Sequence, residues 1–264
     1  MTMTFETLTI ERPHADVLLI TLNRPDAANA INTQMAKDLL VLFTSLASDE
    51  IGVRAVVLTG AGSKIFCAGG DLKERNGMSD EAWVHQHRIM EQALFCMHDT
   101  AVPIIAAVNG AAIGGGCELA LAADFAYASN NARFALSETS LGIMPGAGGT
   151  QNLPRAVGLR RANEIIFSAD RFTAEEALLW GVVNRLFSQE ELVESAVTMA
   201  ARIAENAPLA VRQAKKAMRE GLTIPKRDAL QFEIDLYHAL VQTRDRQEGV
   251  LAFNEKRKPE CEGR

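Results

Sequence analysis

The chain has 264 residues and a mass of 28.7 kDa, enough for one sizeable core or a core with an appendage. Hydrophobic residues make up 48% and charged residues 23%, which excludes wholesale disorder. Asp+Glu 33 against Lys+Arg 27 leaves a net charge of −6, an acidic balance that argues against broad nucleic-acid binding.

In chain order, Thr7–Arg12 and Val17–Leu22 read as short strands joined by a turn at Pro13–Asp16. Met35, Leu39, Phe43 and Leu46 recur at helical spacing within Thr33–Ser48, with Asn32 or Thr33 placed to cap its start. Ala55–Thr59 is a continuous apolar strand of the kind buried on both faces, followed by a glycine-punctuated loop from Gly60 to Asp71. Glu81–Met97 predicts a helix, Ile104–Val108 another buried strand, and Gly116–Ala123 the next helix. Phe125–Ala128 and Arg133–Leu136 are short strands around an Asn130–Asn131 turn. These strand–strand–helix units with short connections predict an α/β core over residues 1–190.

Beyond it, Thr173–Glu176 is a capping box opening a helix that ends near Gly181, and Val182–Leu186 follows. Glu190–Asn206, Leu209–Glu220, Asp228–Val241 and Arg246–Asn254 then read as helices, punctuated by Pro208, Gly221 and Pro225. Residues 191–264 are therefore expected to form a helical C-terminal region for oligomerisation.

Several chemistries find no motif. Gly60-Ala-Gly62 and Gly146-Ala-Gly148 begin like a dinucleotide fingerprint, but Ile65 and Gln151 stand where the third glycine belongs. Neither GxxxxGK[ST] nor GxSxG occurs. His85 and His87 are two apart on the predicted helix, so their rings diverge; they read as surface histidines, and no metal is expected. Cys67, Cys96, Cys117 and Cys261 lack CxxC spacing and read as reduced thiols. Met1–Glu11 lacks a basic segment followed by an apolar one, and Ala101–Ala123 is interrupted by Pro103, Asn109, glycines and Glu118. Neither an export signal nor a membrane span is expected, which suits a cytoplasmic protein.

Three segments carry candidate chemistry. In Asn109–Glu118 three consecutive glycines separate a buried strand from a helix. They serve either a tight turn or a ligand that touches the backbone, with the Gly115 N–H free at a helix N-terminus. Glu118, one helical turn on, either complements the helix dipole or hangs its carboxylate near the same spot. Phe66–Leu72 is a second glycine loop; Asp71 caps a helix there, and Gly70 N–H is a candidate second donor. Ser137–Thr150 adds Glu138 at a strand end, as a capping acid or a second catalytic carboxyl, and another backbone-exposing turn.

Taken together, IFCAGGDLKE (Ile65–Glu74), PIIAAVNGAAIGGGCELALAADF (Pro103–Phe125) and FALSETSLGIMPGAGGTQNLPRAVG (Phe134–Gly158) resemble the enoyl-CoA hydratase/isomerase, or crotonase, superfamily. The resemblance runs from Asn23 to Lys258 and is specific to the superfamily more than to one substrate. It implies a crotonase-like spiral of ββα units that binds an acyl-coenzyme A thioester, with no metal or redox cofactor and coenzyme A entering as part of the substrate. Gly70 and Gly115 match the two oxyanion-hole N–H groups, although many relatives carry Ala at the first. Glu118 and Glu138 match the two catalytic glutamates of the hydratases, and Gly146 the glycine that helps hold the water. Ala68, Gly70 and Lys256 match coenzyme A-binding positions, Lys256 near the nucleotide end.

The implied reaction is reversible addition of water to a 2-trans-enoyl-CoA, giving a 3-hydroxyacyl-CoA, with a homotrimer or a dimer of trimers as the assembly. The alternatives on the same fold are a Δ3,Δ2-enoyl-CoA isomerase, which commonly keeps one acid, and a methylglutaconyl-CoA hydratase, resembled by IFCAGGDLKERNGM with EIIFSADRF. Mammalian methylglutaconyl-CoA hydratases also bind RNA through a lysine-rich helix. The matching segment here, Thr33–Glu50, holds only Lys37, so no nucleic-acid partner is expected. A non-catalytic acyl-CoA module is disfavoured by the intact glutamate pair. A bacterial cytoplasm suits the chain, and a processed mitochondrial form reads the same way. Fatty acid, leucine and phenylacetate degradation all use such enzymes.

Overall fold

The structure, a computed structural model, describes residues 4–49 and 51–264. Met1–Met3, within the segment read for an export signal, and Glu50, at the end of the segment compared for RNA binding, lie outside the described residues.

The N-terminal strands β1 (Leu8–His14) and β2 (Val17–Leu22) form an antiparallel hairpin, and α1 (Thr33–Ala47) follows with Asn32 accepting from Met35 N–H as its cap. Three ββα turns come next. The first is β3 (Ala55–Gly60) and β4 (Ile65–Cys67) with α2 (Leu72–Arg75) and α3 (Asp80–Asp99). The second is β5 (Ile104–Val108), β6 (Ala111–Ile113) and α4 (Gly115–Ala122). The third is β7 (Phe125–Ser129), β8 (Arg133–Ala135), α5 (Gly149–Val157) and α6 (Leu159–Ser168). Then come β9 (Phe172–Thr173), α7 (Ala174–Trp180) and β10 (Arg185–Phe187), followed by α8 (Leu192–Ala204), α9 (Pro208–Gly221), α10 (Lys226–Val241) and α11 (Arg244–Glu255).

The two strands of each turn enter different sheets. The larger sheet has the order β1-β2-β3-β5-β7-β10, parallel beyond the first hairpin; the smaller has the order β4-β6-β8-β9. The chain thus winds as a spiral, and the strands on either side of Asn130–Asn131 belong to separate sheets. Asn109 makes one of the corners between sheets. Its buried amide accepts from Gly60 N–H at 3.1 Å and donates to the Gly60 and Gly62 carbonyls at 2.8 and 2.7 Å. A side chain on the adjoining Gly110 would collide with the Lys64 backbone, so the corner requires glycine.

Strand periodicity splits the core between two faces. Leu18, Ile20, Val56, Leu58, Ile104 and Ala106 face α1 and the smaller sheet, whereas Val17, Leu19, Val57, Ile105 and Ala107 face α8. That helix presents Leu192, Ala196, Ala200 and Ala204, one per turn, and the small residues let its backbone approach the sheet closely. Arg54 ties the chain end to this body by donating to the Ala204 and Cys261 carbonyls. Among the described residues no helix is long and apolar enough to cross a membrane.

Candidate active site

The C-terminal ends of β4, β6 and β8, neighbours in the smaller sheet, open onto one cleft, where ligands of parallel sheets characteristically bind. After β4, Gly69 turns with φ +84°, and Ile31 grips the loop by donating to Gly69 O at 2.7 Å and accepting from Asp71 N–H at 2.9 Å. Asp71 then caps α2, accepting from Lys73 and Glu74 N–H, and pairs with Arg24 at 2.9 Å. Burial pushes the Asp71 carboxyl up, but Arg24 and those N–H groups hold it below the ordinary value.

After β6, Gly114 takes φ +54° and ψ −124°, a conformation that excludes side chains, and donates to Ala135 O at 2.8 Å. This aims the first peptide of α4 at the β4 loop. A Cβ built on Gly115 would lie 3.8 Å from Gly70 N, so the two peptides flank one narrow gap. Neither the Gly70 nor the Gly115 N–H meets a protein acceptor among the described residues. Two unpaired donors at a helix N-terminus form a ready receptor for developing negative charge.

Both glutamates reach this gap. Glu118, in the first turn of α4, is buried; its Oε1 accepts from Ala147 N–H at 2.7 Å and Gly149 N–H at 2.8 Å. Burial raises its pKa to about 7, against the lowering effect of the two N–H groups and with a further push from Glu138. Glu138 follows β8, opening a 3-10 turn over Glu138–Leu141. Its Oε1 packs against Gly114, where a Cβ would come within 3.0 Å, and its buried Oε2 has no hydrogen-bond partner among the described residues. Burial raises this carboxyl too. Two carboxyls with elevated pKa values beside two free donors can move protons on either side of a carbonyl-bearing substrate.

The family model for enoyl-CoA hydratase/isomerase matches residues 12–264. The chain belongs to that family. It is 40% identical over 244 residues to the short-chain-enoyl-CoA hydratase of Clostridium acetobutylicum, covering 92% of this chain and 93% of that protein. It is also 40% identical to the 2,3-dehydroadipyl-CoA hydratase of Escherichia coli, covering 94% of this chain and 96% of that one. Among solved structures, an enoyl-CoA hydratase from Bacillus anthracis superposes with a TM-score of 0.95 at 41% identity, over 98% of this chain and 100% of that chain.

In this member of the enoyl-CoA hydratase/isomerase family the cleft has a volume of about 880 Å³ and is lined by Ala68, Gly70, Gly115, Glu118, Glu138 and Gly146 together. The Gly146 N–H has no protein acceptor among the described residues. Lys256 lies apart from the cleft, exposed in the left-handed turn that ends α11. Its neighbours Arg257 and Lys258 are paired with Glu248, Glu255 and Glu205, and Lys256 forms no ion pair among the described residues.

Two cleft residues escaped the sequence reading. His85 is exposed as expected, but His87 is half-buried in the cleft, with Nδ1 2.6 Å from Glu91 Oε1. Its Nε2 would be 2.7 Å from a Cβ on Gly146, so the ring stands over that turn. The i, i+4 spacing of Trp83, His87 and Glu91 on α3 was the available signal of a shared face. The other is Arg75, at the end of α2. Cys67 and Cys117, adjoining the site in sequence, are buried; burial pushes the Cys67 thiol up to about 12 and raises Cys117 as well, so neither supplies a thiolate. Among the described residues no group of three His, Cys, Asp or Glu is placed to hold a metal ion.

Proposed function

We propose that the protein hydrates 2-trans-enoyl-CoA thioesters reversibly to 3-hydroxyacyl-CoA. The observation that carries this reading is the pairing of two carboxyls, Glu118 and Glu138, with two unspent backbone donors, Gly70 and Gly115, in one cleft. Water adding at C3 drives charge onto the thioester oxygen as an enolate, and the Gly70 and Gly115 N–H groups stabilise that charge where it develops. Removing one such donor typically costs about 10²–10³ in rate.

Glu118 takes the proton from water. Its Oε1 is spent on two peptide N–H groups, which leaves the other oxygen to act, and a pKa of about 7 suits a base at neutral pH. Glu138, whose carboxyl burial raises above its ordinary value, delivers a proton to C2. Hydroxide thus joins C3 and a proton joins C2, and the carboxyls exchange states for the reverse reaction. Gly146 N–H steadies the water, Ala68 and Gly70 border the thioester end of coenzyme A, and Lys256 attracts its phosphates. The same proposal places the enzyme in acyl-thioester breakdown in the cytoplasm, as a trimer or dimer of trimers.

The test is loss of the conjugated enoyl-thioester absorbance of crotonyl-CoA on adding the enzyme, with the 3-hydroxy product identified by mass. Absence of hydration on every enoyl-CoA tried, or double-bond migration in its place, would overturn the reading.

A further inference from the structure

One wall of the cleft holds a cation that hydration does not use. Arg75 Nε donates to Gln86 Oε1 at 2.7 Å, and buried Gln86 is fixed in turn by donating to Thr33 Oγ1 at 2.8 Å and Glu74 Oε2 at 2.6 Å. The guanidinium carbon lies over the Trp83 ring, 4.5 Å from its centroid. These contacts lock the group in place, yet Nη1 and Nη2 meet no acceptor among the described residues. A Cβ on Gly70 would stand 2.8 Å from Nη1 and 3.4 Å from Nη2, so the unspent edge lies beside the first oxyanion donor. Gly70 makes room for it; an alanine there would push the guanidinium away.

A half-buried guanidinium with unpaired donors is costly unless a ligand completes it, and its planar fork matches a carboxylate in two parallel hydrogen bonds. We propose that the acyl group taken by this cleft ends in a carboxylate, which Arg75 receives: the substrate is the monothioester of a short unsaturated dicarboxylic acid. This rests on the hydratase reading and deepens it. Leu141, Ile143 and Met144 line the same cleft with exposed apolar side chains, a surface suited to the methylene stem. The phosphates of coenzyme A are the other anions of such a substrate, but the whole pantetheine arm separates them from the thioester that Gly70 holds. Of the carboxylates nearby, Glu91 is engaged by His87, Asp71 by Arg24, Glu74 by Gln86 and one oxygen of Glu118 by the Ala147 and Gly149 N–H groups. Among the described residues Glu138 Oε2 has no partner, but no carboxylate forms an ion pair with Arg75.

The experiment compares adipoyl-CoA with hexanoyl-CoA, both saturated and unreactive, by titration calorimetry on wild type, Arg75→Met and Arg75→Lys. In parallel, kcat/KM is measured for 2-hexenedioyl-CoA and 2-hexenoyl-CoA. Wild type should favour the dicarboxylic member of each pair, and Arg75→Met should cut that preference about 10–100-fold, the worth of a charge-assisted pair. Arg75→Lys should retain part of it, since the charge survives without the fork. A wild type without the preference, or an Arg75→Met variant weakened equally toward both ligands, overturns the proposal; the second result would assign Arg75 to the thioester or the fold. The calorimetry needs no turnover, so an Arg75-dependent preference without hydration of any substrate would sink the hydratase reading and leave the carboxylate site standing.

Discussion

At the scale of single residues, Glu118 sets the pH response. Burial raises its pKa to about 7, and as the proposed base it must be ionised to take a proton from water, so kcat/KM should climb as pH rises through that value. Burial raises the Glu138 carboxyl as well, so the acid proposed to serve C2 holds its proton to higher pH than an ordinary glutamate would. Glu118→Gln preserves a carbonyl oxygen for the Ala147 and Gly149 N–H groups, so the fold should persist while kcat falls at least about 10²-fold and the acid limb disappears. A variant that keeps the limb would assign the titration to another group. Stability runs the opposite way. The folded chain binds the Glu118 proton more tightly than the unfolded chain does, so this group's contribution is full below 4.5 and is lost as pH rises through about 7.

At the scale of elements, the spacing of the two donors depends on how α4 meets β4. A side chain on Gly116 would collide with the Cys67 carbonyl and lever the helix end away. Gly116→Ala should therefore reduce kcat about 10²-fold or more, because misplacing such donors by an ångström is enough, with a lowered melting temperature as the accompanying sign. Full activity in this variant would mean that the close approach is dispensable. A second joint is Lys215 on α9, buried, donating to Val102 O at 2.7 Å and Asp124 at 2.8 Å, with Arg219 also on Asp124. Lys215→Met removes one partner of a desolvated cluster, and denaturant unfolding should show a loss of about 2–3 kcal/mol.

These same elements explain what sequence alone could supply. Ala55–Thr59 and Ile104–Val108 announce themselves because both faces are covered, and the continuous apolar run is the outcome. The Ile65–Cys67 and Ala111–Ile113 strands are only three residues long and sit among glycines, so no periodicity can develop, and both read as loop. Helices α5 and α6 received no assignment from the sequence; Pro154 sits inside α5 and Gly158 divides it from α6. The glutamates and paired glycines were legible because they fall in distinctive segments. Arg75 and His87 were not, because an arginine on a helix end and a histidine on a polar helix resemble surface residues until the fold turns them inward.

At the scale of the molecule, α10 has no buried residue, yet Leu230, Ile234, Tyr237 and Val241 form a stripe along it, Tyr237 being 66% exposed. Phe253 on α11 is 83% exposed. Apolar area of this kind is normally covered by another subunit. Sedimentation should give a trimer or hexamer, and Ile234→Glu should shift it to a smaller species; a fully active wild-type monomer would refute the assembly. Lys256, which forms no ion pair among the described residues, should act independently of that interface. Lys256→Ala is expected to raise KM for acyl-CoA several-fold with kcat nearly intact, the pattern of lost uniform binding.

The alternation of strands between two sheets has one more consequence. Gly70, Gly115 and Glu138 follow three adjacent strands, and strand spacing of about 4.8 Å fixes the gauge on which the proposed thioester would be laid. That gauge is set by backbone pairing and by the close approach of α4 to β4, not by the side chains of α2 and α3. Arg75, proposed above to receive the far end of the acyl chain, and Trp83 and His87, which line the same cleft, ride instead on α2 and α3, outside the sheet. On the proposed reading, reaction and substrate choice are mounted on separate parts. One frame can be refitted to new acyl groups by redecorating a single helical segment, while the bond-making geometry is inherited unchanged.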